Sequence, residues 1–247
     1  KERAADELQR LLEGARGSKT LRQHVPYFER LLQGAEQASG SARPGEELTA
    51  LELRAQENPS DVQAQVELGR AYLERGRVDE AIATYRQVLD PAPDQAEARA
   101  EFAVALERKG LLESAIAEFQ EAIRLAPSLV AAHVGLGWLY LRHGRLAEAE
   151  QALSRGIAAR PDAAVLHHSL GVVHARQKRY GDALEALSRA LELAPEEGEI
   201  HNNLASAYLA MGRYEEAIRH ADRGRALGKP AAKLLRALER YRRPASR

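Results

Sequence analysis

Valine, isoleucine and threonine runs are scarce along this chain, and so is strict alternation of apolar and polar residues. Ala, Leu, Glu, Arg and Gln dominate instead, all strong helix formers, and an all-α chain is expected. Internal repetition sharpens that expectation. Sliding the sequence against itself by 34 residues brings five segments into register without a gap: 62–95, 96–129, 130–163, 164–197 and 198–231. Their seventh and eighth places hold Leu68-Gly69, Phe102-Ala103, Leu136-Gly137, Leu170-Gly171 and Leu204-Ala205. The eleventh holds Tyr72, Leu106, Tyr140, His174 and Tyr208, and the twentieth is always alanine: Ala81, Ala115, Ala149, Ala183 and Ala217. Pro93, Pro127, Pro161 and Pro195 stand in the thirty-second place, slipping by one to Pro230 in the last segment.

Each recurrence has a physical cause. Glycine or alanine in the eighth and twentieth places lets two antiparallel helices approach closely, and the large residues of the seventh, eleventh and twenty-fourth places fill the seam. Gly76, Gly110, Gly144 and Gly212 follow the first helix of their segments, where a left-handed C-cap favours glycine. Proline closes the second helix because it has no N–H to donate and disfavours helix in the residue before it.

With these residues the sequence resembles the tetratricopeptide repeat family over about 170 of its 247 residues. The resemblance implies a right-handed superhelical solenoid of antiparallel helix pairs with an extended concave face. The fourth place departs from the family pattern, with Gln65, Arg99, His133, His167 and His201 where tryptophan is common. In this family the second, fifth, ninth, twelfth and thirteenth places of each first helix face the concave surface. The expected partner-binding residues are therefore Val104, Arg108, Val134, Trp138, Leu141, Arg142, His168, Val172 and Arg176, with the chain's single tryptophan at their centre. Members that grip a C-terminal carboxylate need Lys and Asn at set places in three successive repeats. No three successive repeats here supply that set, and the likeness is instead to members whose apolar grooves take extended or helical peptides.

The ends are atypical, as terminal repeats are. The expected divisions are a helical segment over 1–38, a Gly/Ser/Pro linker over 39–45, and a half repeat over 46–61. The five repeats span 62–231, and a solvating helix with a tail follows over 232–247. That last stretch is basic, with Lys233, Arg236, Arg240, Arg242, Arg243 and Arg247 against Glu239. It reads as a solvated cap, with docking to an acidic protein or lipid surface as the sharper alternative.

Composition excludes more than it assigns. The 36 basic residues balance 36 acidic ones, which argues against a chain-wide nucleic-acid surface, and few aromatics interleave the basic residues. Forty-six alanines reinforce the helical reading. The chain has no cysteine, so disulfides and Cys-ligated zinc are out. No phosphate loop, HExxH, EF-hand loop or GxSxG occurs, and Gly135-Leu-Gly137 reads as helix packing. No cofactor, metal or catalytic residue is expected. A ladder of His133, His167 and His201 is conceivable as a metal site, but replacement of the usual aromatic in an inter-repeat contact is the simpler reading. The first residue is Lys1, so the chain is read as a processed or excised piece whose targeting signal is out of view. The compartment stays open between cytoplasm and a bacterial periplasm or outer membrane. The expected function is a non-enzymatic scaffold that binds a peptide or amphipathic helix of another protein, within or outside a larger complex. The alternatives are a pilotin-like assembly factor for a secretin or pilus machine, and the regulatory arm of a larger enzyme.

Overall fold

The computed structural model describes residues 44–242. The segment expected over 1–38, most of the expected linker and the last five residues lie outside the described residues. Twelve helices and no strand occur among the described residues: α1 Pro44–Glu57, α2 Val62–Glu74, α3 Val78–Leu89, α4 Ala96–Arg108, α5 Leu112–Leu125 and α6 Val130–Arg142. They continue as α7 Leu146–Ala159, α8 Ala164–Arg176, α9 Tyr180–Leu193, α10 Gly198–Ala210, α11 Tyr214–Ala226 and α12 Ala232–Glu239. The chain divides into two compact units, Lys1–Ala64 and Gln65–Arg247.

In the first unit α1 begins at Pro44, two residues ahead of the expected Glu46. Proline suits a first helical position, where its missing N–H has no intrahelical partner and its φ is already helical. Asp61 precedes α2, and its Oδ1 accepts the backbone N–H of Ala64 at 3.1 Å, a side-chain N-cap. That bond, together with the guanidinium of Arg54, holds the Asp61 carboxyl below its ordinary value.

In the second unit α4, α6, α8 and α10 each pack on their own second helix. α4 touches α6, α6 touches α8 and α8 touches α10, whereas no two second helices meet among the described residues. The first helices therefore line the inner wall of this unit. The seam of each pair follows the side-chain volumes. All five twentieth-place alanines have no exposed surface. A Cβ on Gly69 would stand 2.5 Å from the Tyr85 ring, one on Gly137 2.7 Å from Leu153, and one on Gly171 2.6 Å from Leu187. In these three pairs a side chain in the eighth place would collide with the twenty-fourth as it stands, whereas in the second pair Ala103 and Phe119 are both buried together. In the fifth pair both places are alanine, Ala205 and Ala221, and Leu238 of α12 completes their fully buried cluster. Leu234 and Leu235 of α12 are partly buried against the same cluster.

The hairpin turns are uniform. The backbone N–H of the sixteenth place returns to the carbonyl of the eleventh at 2.9 Å in all five pairs: Arg77 to Tyr72, Leu111 to Leu106, Arg145 to Tyr140, Arg179 to His174 and Arg213 to Tyr208. Gly76, Gly110, Gly144 and Gly212 take the positive φ this turn requires; the fourth turn has Lys178 there, at φ 63°. Where the eleventh place is tyrosine, the following arginine lies over its ring: Arg77 4.4 Å from Tyr72, Arg145 4.5 Å from Tyr140 and Arg213 4.6 Å from Tyr208. The same arginines bond Glu80, Glu148 and Glu216 in the first turn of the second helix. In the fourth pair, where histidine replaces tyrosine, Arg179 keeps the equivalent bond to Asp182, and Glu150 of α7 also gathers His174, Gln177 and Arg179.

Candidate partner-binding groove

The fourth-place residues are buried or half-buried hinges between repeats rather than a ladder. Arg99 donates through Nε to the Pro93 carbonyl at 2.7 Å. His133 and His167 bring Nε2 to within 2.9 Å of the Pro127 and Pro161 carbonyls. Each residue thus satisfies a carbonyl left free at the end of the preceding second helix. Within its own pair the same residue faces the twenty-third place. Arg99 bonds Glu118 at 2.5 Å, His133 Nδ1 lies 3.1 Å from the Ala152 carbonyl, and His201 Nδ1 lies 3.0 Å from His220 Nδ1. Among the described residues no group of three or more metal-ligating side chains comes together.

The inner wall carries its own cross-repeat pairing, from the ninth place of one first helix to the sixth of the next. Arg70 Nη2 meets Glu101 at 2.6 Å, and the indole Nε1 of Trp138 donates to Ser169 Oγ at 3.2 Å. Trp138 is therefore half-buried, its only donor already engaged with the neighbouring repeat. Val104, Val134 and Val172 are also half-buried, while Leu141 is buried at 8% exposure and offers little surface to a partner.

The three arginines of the thirteenth place differ sharply. Arg108 donates to the Leu73 carbonyl at 2.6 Å, and Arg142 is ion-paired with Glu107. Arg176, exposed on α8, has no hydrogen-bond or ionic partner among the described residues. It stands at the rim of a hollow of about 300 Å³ between α8 and α10, lined by Val172, Ala175, Asn203, Ser206 and Ala210. His168 lines a second hollow of about 430 Å³ on the same wall with Val165, Ile200, Glu199 and Lys229. There the Asn203 amide Nδ2 lies 2.6 Å from His168 Nε2 and donates to the neutral ring. Burial depresses the basicity of His168 below the ordinary histidine value, against the pull of Glu199 and Glu197.

Of the residues expected at the site, Val172 and Arg176 meet in one hollow and His168 belongs to the other. Asn203, Ser206 and Val165 complete them, and Asn203 escaped the sequence reading because the sixth place was not counted as wall. A signal was present: the sixth place holds Glu67, Glu101, Gly135, Ser169 and Asn203, all polar or small. Glu101 and Ser169 lie 31 residues after Arg70 and Trp138, the residues they bond.

Stacked helix pairs of 34 residues, a small-residue seam and an inner wall of first helices define the tetratricopeptide class of protein-interaction scaffold. Residues 13–241 match the family model of the cilia and flagella-associated protein 70 C-terminal domain, and the chain belongs to that tetratricopeptide family. No curated protein matches the sequence. Among solved structures, PilF of Pseudomonas aeruginosa is 23% identical, covering 70% of this chain and 79% of its own, with a TM-score of 0.63. The thermophilic tetratricopeptide protein TTC0263 of Thermus thermophilus is 25% identical over 71% of this chain and 96% of its own, with a TM-score of 0.59. YrrB, described as having an unusual peptide-binding site, is 18% identical over 76% of this chain and 97% of its own, with a TM-score of 0.54. At their identities the PilF and YrrB likenesses carry the fold alone.

Proposed function

We propose that the chain binds a peptide or helical segment of a partner protein on the inner wall of α6, α8 and α10, seating an apolar side chain between α8 and α10 beside a carboxylate held by Arg176. The carrying observation is the contrast among the thirteenth-place arginines. Arg108 and Arg142 are engaged by the protein's own acceptors, and Arg176 alone projects unpartnered beside an apolar hollow. A guanidinium there can take a carboxylate bidentately, and the hollow is of a size for one leucine or phenylalanine side chain. Trp138 and Val134 continue the wall as contact surface; Trp138 shapes it rather than reaching out, because its N–H is spent on Ser169. The pilotin-like alternative gains only a shared fold from the PilF likeness, and no residue on the wall speaks for it.

Selection of displayed random peptides against the chain tests this reading. The enriched sequences are expected to pair one large apolar residue with Asp or Glu. Arg176→Glu should weaken their binding by ten-fold or more, and Val172→Trp, which fills the hollow, should abolish it. Peptides that bind both variants as tightly as the original chain would place the site elsewhere.

A further inference from the structure

The two hollows of the inner wall lie along one cleft. Val165 and His168 of α8 face Ile200 of α10 across the first, and Val172 and Ala175 of α8 face Ala207 of α10 across the second. Val165 to Val172 and Ile200 to Ala207 are each a step of seven residues, about 10.5 Å along either helix at 1.5 Å per residue. α8 and α10 come close over a shorter stretch than α4 with α6 or α6 with α8, so the cleft between them is the more open one. The bond from Asn203 to His168 crosses it between the hollows. Its two ends carry opposite, unanswered charge. Arg176 closes α8 at one end, exposed and without a partner among the described residues. At the other end Glu197 stands immediately before α10 on the rim of the Val165 hollow, exposed, and its carboxylate has no hydrogen-bond or ionic partner among the described residues. Glu199 beside it is answered by Lys229 at 3.1 Å. Val165 itself is 44% exposed, an apolar side chain with little over it.

We infer, on the footing that this groove is the partner site, that its occupant is an amphipathic α-helix lying antiparallel to α8 and α10, with an acidic first turn at Arg176 and a basic last turn at Glu197. Its apolar anchors are residues i, in the Val172 hollow, and i+7, in the Val165 hollow. A small residue at i+3 and i+4 passes over the His168–Asn203 bond. A helix climbs about 10.5 Å in seven residues and returns to the same face, so its anchors fall on both hollows at once. An extended strand returns to one face about every 6.6 Å, so its side chains fall short of the second hollow or overshoot it. Direction follows from charge. Acidic residues suit the first turn of a helix and basic residues the last, where they complement its dipole. Only the antiparallel course brings that preferred arrangement to Arg176 and Glu197. Arg176 lies four residues beyond Val172, and Glu197 three before Ile200, which puts the acid near i−4 and the base near i+11.

The probe is a fluorescein-labelled, lactam-bridged synthetic helix with Glu at i−4, Leu at i and i+7, Ala at i+3 and i+4, and Lys at i+11, titrated with the full chain by fluorescence anisotropy. It should bind saturably at one site. Moving the second leucine from i+7 to i+5, or placing proline between the two leucines in an unbridged copy, should weaken binding ten-fold or more. Exchanging the Glu and Lys of the probe should weaken it five-fold or more. Arg176→Glu/Glu197→Lys changes two exposed side chains, and the variant, its helical spectrum kept, should reverse that preference. No binding of the probe, equal binding of the proline copy, or an unreversed preference would overturn the helix. The groove itself is judged separately. If random-peptide selection still yields ligands that need Arg176 and an open Val172 hollow while these probes fail, the groove stands and the helix falls. If the probe binds Arg176→Glu and Val172→Trp as tightly as the original chain, both fall.

Discussion

Adding a single methyl group at Gly171 tests the helix-pair seam most directly. In an exposed helix Gly→Ala stabilises by roughly 0.5–1 kcal/mol, because alanine has less backbone entropy to lose. At Gly171 the added Cβ would stand 2.6 Å from Leu187 Cγ, 2.9 Å from its Cδ2 and 3.2 Å from the Ala183 carbonyl oxygen. Leu187 has no exposed surface, and the carbonyl belongs to α9 itself, so neither can yield without moving the helix. Overpacking of this kind costs about 1–3 kcal/mol, and the upper part of that range applies where backbone blocks the way. The net expectation is destabilisation by about 1–2 kcal/mol. Gly181→Ala is the internal control: that glycine is helical, and nothing lies within 4 Å of its would-be Cβ, so there the gain should stand alone. The third arm is Gly171→Ala/Leu187→Ala, which reproduces the Ala205/Ala221 seam of the fifth pair. Leu187→Ala alone should cost about 2–5 kcal/mol. The double variant should cost less than the sum of the singles by about 1–3 kcal/mol. Urea unfolding followed by circular dichroism, with Trp138 fluorescence reporting the neighbouring repeat, measures all four. If Gly171→Ala stabilises as Gly181→Ala does, or the cycle is additive, the seam is not packed as described.

Lys178→Gly should raise stability by about 1 kcal/mol, because a side chain at φ 63° carries a left-handed penalty that the glycines of the other turns avoid; a lower urea midpoint would contradict this. Burial depresses the basicity of His168, His201 and His220 below the ordinary histidine value, so the unfolded chain binds more protons than the folded one. Stability should hold above about pH 6.5 and fall as the pH drops below it. Melting curves from pH 7.5 to 5 check this, and His201→Gln/His220→Gln should flatten the dependence.

What was legible in the chain follows the reach of the interaction. The twentieth-place alanine, the turn glycines and the closing prolines each answer to a neighbour within one hairpin and recur five times, so the helix pairs could be read residue by residue. Pairings that depend on how one helix crosses another were less visible. Arg99 with Glu118 and His201 with His220 share a spacing of 19 residues, a signal that appears only once the fourth and twenty-third places are known to face. The groove suffered most. Concave placement alone made Arg108, Arg142 and Arg176 look equivalent, and only the positions of the Leu73 carbonyl and Glu107 separate the engaged arginines from the free one. Lys178 gives no hint in its own identity that it adopts the backbone conformation of a glycine; only its repeat register does.

The fourth-place bonds to the preceding proline carbonyl also bear on how the chain is made. In the second unit the described hydrogen bonds look back over short distances, and the longest, Arg108 to Leu73 and Asn203 to His168, span 35 residues. A nascent chain leaving the ribosome can therefore dock each new hairpin onto the one before it without waiting for a distant segment. Contacts this local make for rapid folding. The unfinished edge is at any moment a single repeat face, and α12 covers the face of the fifth pair by burying Leu238 against Ala205, Ala217 and Ala221.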